Sequence, residues 1–357
     1  MNLNAFFRDS RRRNLAILAA ATLVCVILAV VALKVQEREV APHYQQESFF
    51  PGLVGRLNEV ARIRVSSSKG VFDVAFLPYK GWVIPSRNDY PASFDMRKET
   101  VVGMAAMLTI EPKTSRPDWL SYVHLDAPPK GSGTEIELLD DKGNILAAMI
   151  VGTGIDIGDP SGAVGLFVRK PDSDQAWLVK SPVEFKSDPA DWMDKSIMTI
   201  DRARIAETDM EPAGSAAYEA RRDKPSDVDF SIPDLPKGRE IADSGIPATV
   251  ASSLSTFSFL DARPSRELDF SNASRLVTKT FDGLTVTVET VKDGGAYWAT
   301  VSAEAASGHP DAAKEARDIN AHANGWAYKL PQPEGQLFTA TLDQLLKPLA
   351  PPQPPAP

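Results

Sequence analysis

Trp177-Leu178-Val179-Lys180-Ser181-Pro182 and Trp326-Ala327-Tyr328-Lys329-Leu330-Pro331 share the pattern W-x-x-K-x-P and stand 149 residues apart. Other matches fall at nearly the same offset and in the same order. Val101, Ala105 and Leu108 form an apolar stripe at helical spacing, and Val250, Leu254 and Phe257 repeat it. Trp82-Val83-Ile84-Pro85 is echoed by Phe230-Ser231-Ile232-Pro233, Ile63 by Ile205, and Asp194 by Asp343. A tandem duplication accounts for this order, with one α+β module over 55–201 and a similar one over 202–348. Each module, at roughly 145 residues, is long enough to bury a core of its own.

Hydrophobic periodicity fills in the modules. Ala61 to Val65 alternates apolar side chains with Arg62 and Arg64, the period-2 pattern of a half-buried strand. Phe72, Val74 and Phe76 continue it as a partner strand after the Ser66–Gly70 turn, and Gly81 to Ile84 adds a third strand stopped by Pro85. Val101, Met104, Ala105 and Leu108 then predict a helix. Strands follow over 134–139 and 145–151, joined by the turn Asp140-Asp141-Lys142-Gly143, and over 164–169 and 177–180. Asp188-Pro189 reads as a capped helix start, with Met193, Ile197 and Ile200 on its buried side. In the second module, 284–288 alternates cleanly and Asp293-Gly294-Gly295 turns into Ala296-Tyr297-Trp298. The two Trp side chains of the repeated hexapeptide are expected to cover sheet and core with large apolar area.

Ahead of the modules, Arg11-Arg12-Arg13 precede an uncharged, apolar run from Leu15 to Leu33. A helix of that length would cross a hydrocarbon core of about 30 Å. The expected layout is a basic cytoplasmic segment 1–14, a transmembrane helix 15–33, a juxtamembrane linker 34–54, the two modules, and a Pro-rich, extended tail 349–357. The fold class expected is therefore α+β: a single N-terminal transmembrane helix followed by two similar modules of antiparallel sheet with packed helices. A cleavable signal peptide competes with the anchor through Val30-Val31-Ala32, but its apolar region is ordinarily shorter. Cys25 lies mid-run without the small residue expected before a lipidated cysteine, which leaves it as a small apolar side chain.

Composition excludes several classes of chemistry. Cys25 is the sole cysteine, so the modules hold neither a disulfide nor a thiolate metal site. The net charge of −8 becomes −11 once the +3 of residues 1–14 is set aside, and an acidic body repels nucleic acid. Gly152-Thr153-Gly154-Ile155-Asp156-Ile157-Gly158 has dinucleotide-loop glycine spacing, but Asp159-Pro160-Ser161-Gly162 and a strand follow where such a loop requires a helix. His43, His124, His309 and His322 are scattered without metal-site spacing. Asp140-Asp141 reads as turn chemistry, and Asp156 with Asp159 as loop solvation. The basic cluster Arg221-Arg222 with Lys224 reads as a solvated turn between modules. No serine elbow is present, so no catalytic, cofactor-binding or metal-ligating residue is assigned.

Several short motifs together resemble the bacterial domain-of-unknown-function family 4340. They are Gly81-Trp82, Glu111-Pro112-Lys113-Thr114, Phe167-Val168-Arg169-Lys170-Pro171 with Ala176-Trp177-Leu178, Asp188-Pro189-Ala190-Asp191-Trp192, Phe281-Asp282-Gly283-Leu284-Thr285-Val286 and Gly325-Trp326-Ala327-Tyr328. The likeness covers roughly 55–348; it departs at Val123-His124-Leu125, where a Leu-Gly pair is expected before a hydrophobic residue. The resemblance implies a membrane-anchored envelope protein, found beside components of gliding-motility-type ABC transporters. The expected function is a non-enzymatic accessory or scaffold subunit of an ABC-type transporter or other envelope assembly. Its partners would be the inner membrane and an envelope protein, and no nucleic acid. The expected location is a single pass in the bacterial inner membrane, with the bulk of the chain periplasmic. Two other classes stay open: a binding module for an envelope polymer or exported ligand, and an envelope hydrolase.

Overall fold

The computed structural model describes residues 46–348, together with residues 14, 18 and 21–29. Strands β1 (Arg62–Ser67) and β2 (Gly70–Leu77) form the opening hairpin, and β3 (Gly81–Ile84) and β4 (Tyr90–Pro91) continue it outward. After helix α1 (Phe94–Ala105) come β5 (Leu108–Pro112), β6 (Thr134–Leu139), β7 (Ile145–Ile155), β8 (Val164–Arg169) and β9 (Trp177–Ser181). The second half runs β10 (Ile205–Glu211), β11 (Tyr218–Arg221), α2 (Ile246–Ala251), β12 (Asp261–Pro264), β13 (Ser274–Thr280), β14 (Leu284–Asp293) and β15 (Ala296–Ala305). Helix α3 (Pro310–Ala323), β16 (Trp326–Lys329), α4 (Gln332–Phe338) and α5 (Leu342–Leu345) complete it.

These strands make two antiparallel sheets, ordered β4-β3-β2-β1-β6-β7-β8-β9-β5 and β11-β10-β13-β14-β15-β16-β12. Taken from β2 onward, the first order matches the second strand for strand, and β3 and β4 are the first sheet's additions. Equivalence extends to register. Trp177 on β9 stands opposite Pro112 on β5, and Trp326 on β16 stands opposite Pro264 on β12. In both sheets proline ends the edge strand, where no further ladder donor is needed.

Local sequence explains the elements that form as expected. On β1, Ile63 and Val65 are fully buried, while Arg64 on the other face donates to Asp73 at 2.9 Å. In the Asp140 turn the carboxylate accepts from the N–H groups of Lys142 and Asn144 at 2.9 and 2.7 Å, and Gly143 takes φ 83°. Gly294 and Gly295 both adopt positive φ, as a two-residue hairpin turn requires. Helix α3 buries Ala312, Ala316, Ile319 and Ala323 on one face, with the small alanines letting it lie close on β15 and β14.

Elsewhere the tertiary context overrides the periodicity. Helix α1 is capped by Ser93, which accepts from the Met96 N–H at 3.2 Å, but it stops before Leu108, which opens β5. Helix α2 ends at Ala251, so Leu254 and Phe257 are buried from beyond the helix. Asp188 does cap, accepting from Ala190 N–H at 2.9 Å, but only a 3-10 turn Pro189–Trp192 follows. Met193 instead bridges to Ala92, and Asp194 accepts from Ser196 N–H at 3.0 Å; this local turn competes with a helix. Ile197 and Ile200 are buried from irregular backbone. Phe230–Pro233 contributes a single bridge, Ser231 to Arg221, rather than a strand.

The N-terminal expectation is corrected. Among the described residues no helix is long and apolar enough to cross a membrane. The continuous helical stretch described there is residues 21–29. Residues 1–13 and 30–45, on which the basic segment and most of the linker fall, lie outside the described residues, as does the tail 349–357. The single-pass anchor is withdrawn, and with it the inner-membrane partner, the periplasmic location and the transporter-subunit role that depended on it. An α+β fold with two antiparallel sheets stands.

One apolar core runs through both sheets. Where they meet, Tyr90 of β4 sets its ring 4.8 Å from that of Trp326 and 6.0 Å from that of Phe259, and its hydroxyl donates to the Asp194 carbonyl at 2.9 Å. Arg87 and Asp261 pair beside it at 3.0 Å. The outer edge of β4 is met by backbone from 192–194, with Ser93 N–H donating to the Trp192 carbonyl at 2.7 Å and Asp194 N–H to the Pro91 carbonyl at 2.9 Å, so it is not left open to another chain.

Candidate docking surface

The connection from β5 to β6 carries the most unusual exposed chemistry. Arg116 is extended, as the residue before a proline must be, and Pro117 starts a 3-10 helix, Pro117–Val123, that ends at His124. On a 3-10 helix residues three apart eclipse one another. Leu120 and Val123 therefore point inward, where Leu120 joins a small core with Leu125, Ile150 and Ala176. Trp119 and Tyr122 point outward at the same spacing, and their relative exposures are 49% and 81%. With Phe167, Val123, Thr114 and Lys113 they form an open, mostly apolar dish of about 400 Å³. Neither the Trp119 indole N–H nor the Tyr122 hydroxyl has a hydrogen-bond partner among the described residues. Charge at the rim is internally balanced: Arg116 pairs with Asp118 at 3.1 Å and lies 4.8 Å over the Trp119 ring, and Lys113 pairs with Glu111.

The dish is seated by residues distant in sequence. A Cβ built on Gly152 of β7 would lie 2.0 Å from the Val123 carbonyl oxygen, so only glycine lets the 3-10 helix rest on the sheet there. Arg169 of β8, 5% exposed, donates from Nε to the Leu125 carbonyl at 2.8 Å. Its Nη1 donates to the carbonyls of Lys170, Pro171 and Ser173 at 3.1–3.2 Å. His124 takes φ 55°, the left-handed conformation a glycine would adopt without strain. Gly152→Ala is expected to destabilise the protein by about 2–3 kcal/mol, because backbone rather than a side chain must move. A denaturation midpoint within error of the parent would contradict that close approach.

The other candidates resolve into structure. Gly154 belongs to β7, and Gly158 sits in a turn at φ 64°, so the glycine-rich run precedes no helix. Asp156 accepts from Gly158 N–H at 2.8 Å and Asp159 from Ser161 N–H at 2.9 Å. Hydrogen bonds from Lys180 and Ser161 hold the Asp159 carboxyl down to about 2, which makes it a structural anion and a poor proton carrier near neutrality. These two carboxylates line a hollow of about 550 Å³ with Glu184 and Phe185. His309 precedes α3, His322 Nδ1 lies 2.8 Å from the Asp318 carbonyl on its own helix, and His43 lies outside the described residues. Among the described residues no group of three or more His, Cys, Asp or Glu side chains could hold a metal ion. Arg221 pairs with Glu219 at 3.1 Å. Arg222 donates to the carbonyls of Ile205, Asp227, Arg202 and Ala203 at 2.7–2.9 Å, a clamp like that of Arg169. The turn is solvated, with Arg221 and Lys224 exposed, and Arg222 ties it to the backbone.

Comparison with known proteins agrees with the motif likeness. The model of the domain of unknown function DUF4340 matches residues 82–282, more than half of the chain. The chain belongs to this family. No curated protein and no solved structure matches it. In this DUF4340 protein the matched region starts on β3 and ends in the turn after β13, so it includes the dish and parts of both sheets. Sequence reasoning singled out Glu111–Thr114 and Val123–Leu125 around the dish but passed over Trp119 and Tyr122. The signal was present: two aromatics three apart after a proline, out of phase with Leu120 and Val123 at the same spacing.

Proposed function

We propose that this DUF4340 protein is a non-catalytic binding module that docks a polypeptide on the Trp119–Tyr122 dish. The observation that carries the reading is the outward pair itself: two large exposed aromatics on one 3-10 turn, neither polar tip with a hydrogen-bond partner among the described residues. Trp, Tyr and Arg are the residues that dominate protein–protein binding energy, and here they are adjacent. A second aromatic face exists at Phe76, Trp82 and Phe94, where Arg97 covers two rings, 4.6 Å over Trp82 and 5.1 Å over Phe94; in the dish Arg116 covers Trp119 alone and leaves the Tyr122 ring open.

Affinity capture with the full-length protein and its Trp119→Ala/Tyr122→Ala variant tests the reading. Both side chains are substantially exposed, so thermal stability is expected to change little. Proteins recovered with the parent are expected to fall at least tenfold with the variant. Equal recovery with both would overturn the docking role of this surface.

A further inference from the structure

Among the described residues, Arg97 is the one arginine that is not exposed and yet has neither an ion-pair nor a hydrogen-bond partner for its guanidinium. The others pair with carboxylates, as Arg87 does with Asp261, or with carbonyls, as Arg169 and Arg222 do. Arg97 Nε is buried without an acceptor, and burial alone holds the guanidinium below its ordinary pKa. Its own helix cannot supply the missing anion. Three and four positions away stand Ser93, Phe94, Thr100 and Val101. Asp95 and Glu99 lie two positions off, about 200° around α1.

What surrounds the cation is aromatic. The guanidinium lies 4.6 Å over the Trp82 ring and 5.1 Å over the Phe94 ring, contacts that restrict its rotamers before any ligand arrives. Phe76 on β2 stands opposite Trp82 on β3, with the two ring centres 6.1 Å apart. Phe76 and Phe94 remain 52% and 61% exposed, so the site is open where a small-ligand site encloses its occupant. The two aromatic surfaces differ in what they leave free. In the dish Arg116 is paired with Asp118 and the Tyr122 ring is open; here two rings are covered and the cation is unpaired. A planar guanidinium fork matches the two oxygens of a carboxylate, and arginine beside exposed aromatics is the make-up of an interface anchor. A phosphate group, with a charge of roughly −2, is met by a cluster of arginines rather than by one.

We infer that Arg97, with Phe76 and Phe94, docks an acidic side chain of a partner polypeptide whose neighbouring apolar residue lies on the two phenylalanine rings. This surface does not depend on the dish, which lies beside β8 and β5 at the other end of the first sheet. The full-length protein, with isotope-labelled arginine, is titrated with the blocked peptide acetyl-Leu-Glu-Leu-amide. The Arg97 Nε–H resonance, assigned as the one missing from Arg97→Lys, is followed by NMR.

A saturable shift of that resonance is expected, with affinity at least tenfold lower for acetyl-Leu-Gln-Leu-amide and for the Phe94→Ala protein. Phe94 is largely exposed, so its truncation leaves the fold in place. Absence of a saturable shift, or equal affinity for the neutral peptide, would overturn the inference. Equal affinity for acetate would do so too, because a free carboxylate lacks the apolar neighbour and the site would then serve small acids. The Trp119→Ala/Tyr122→Ala protein is expected to bind the peptide as the parent does. Loss of binding there would place the peptide in the dish and remove the Arg97 site.

Discussion

Tyr90→Ala is expected to lower stability by about 3–5 kcal/mol, the range for removing a large buried aromatic. Tyr90 is 1% exposed and stands at the junction of the two sheets, against Trp326, Phe259 and Tyr328. Alanine there leaves a cavity between modules that neither sheet can close, because each is held rigid by its own ladder. The Asp194 carbonyl also loses its donor. Tyr90→Phe separates the two contributions: it keeps the ring and is expected to cost only about 1 kcal/mol. Urea denaturation followed by tryptophan fluorescence and by far-ultraviolet circular dichroism reads both effects. In Tyr90→Ala the two probes are expected to diverge, since the contact that braces the two sheets against each other is lost. Equal midpoints for the alanine and phenylalanine variants would remove the ring's packing from the account.

Arg169→Ala should have a comparable effect for a different reason. The Arg169 guanidinium is buried with no carboxylate in ion-pair contact; it donates to the carbonyls of Leu125, Lys170, Pro171 and Ser173, and the Glu135 carboxylate interacts with its charge at longer range. Removing it strands four acceptors, each costing about 1–3 kcal/mol where water cannot reach. Water is expected to re-solvate the exposed side of the 170–173 turn, which brings the net loss to about 3–4 kcal/mol. Arg169→Lys should recover little, since an ammonium on a flexible stem cannot serve the same spread of acceptors as a planar fork. Hydrogen exchange gives the local readout: faster exchange over 118–126 and 170–176, with β13 to β15 unchanged. Uniform acceleration across both sheets would show that Arg169 supports the whole fold rather than the seat of the dish.

Elements fixed by neighbours in sequence were legible in advance. Alternation placed Ile63 and Val65 inward on β1, and positive-φ glycines closed the Asp140 and Asp293 hairpins where the turn signals stood. Long periodicities failed when a short segment had a stronger local alternative. Asp194 turned its carboxylate to Ser196 N–H, and the stripe from Met193 to Ile200 became irregular though still buried. The anchor read from the apolar run at 15–33 is corrected on another ground: among the described residues no helix is long and apolar enough to cross a membrane.

For the candidate site, sequence held the materials but not their arrangement. Trp119 and Tyr122 stood in plain view, yet whether they face core or solvent depends on Leu120 finding Ile150 and Ala176, and on Gly152 lying beneath Val123. Arg222, read as part of a solvated turn, also clamps backbone carbonyls, and Arg169 is buried in the same role.

The sequence by itself determined strand alternation, the hairpin turns and the repeated W-x-x-K-x-P hexapeptides, all set by residues within a few positions of one another. Only the tertiary structure decided that the second sheet repeats the first strand for strand, that Tyr90 joins them, and which aromatics remain outside. Those outcomes depend on contacts such as Tyr90 with Trp326 and Gly152 with Val123, whose partners lie far apart in the chain and meet only when the core has formed.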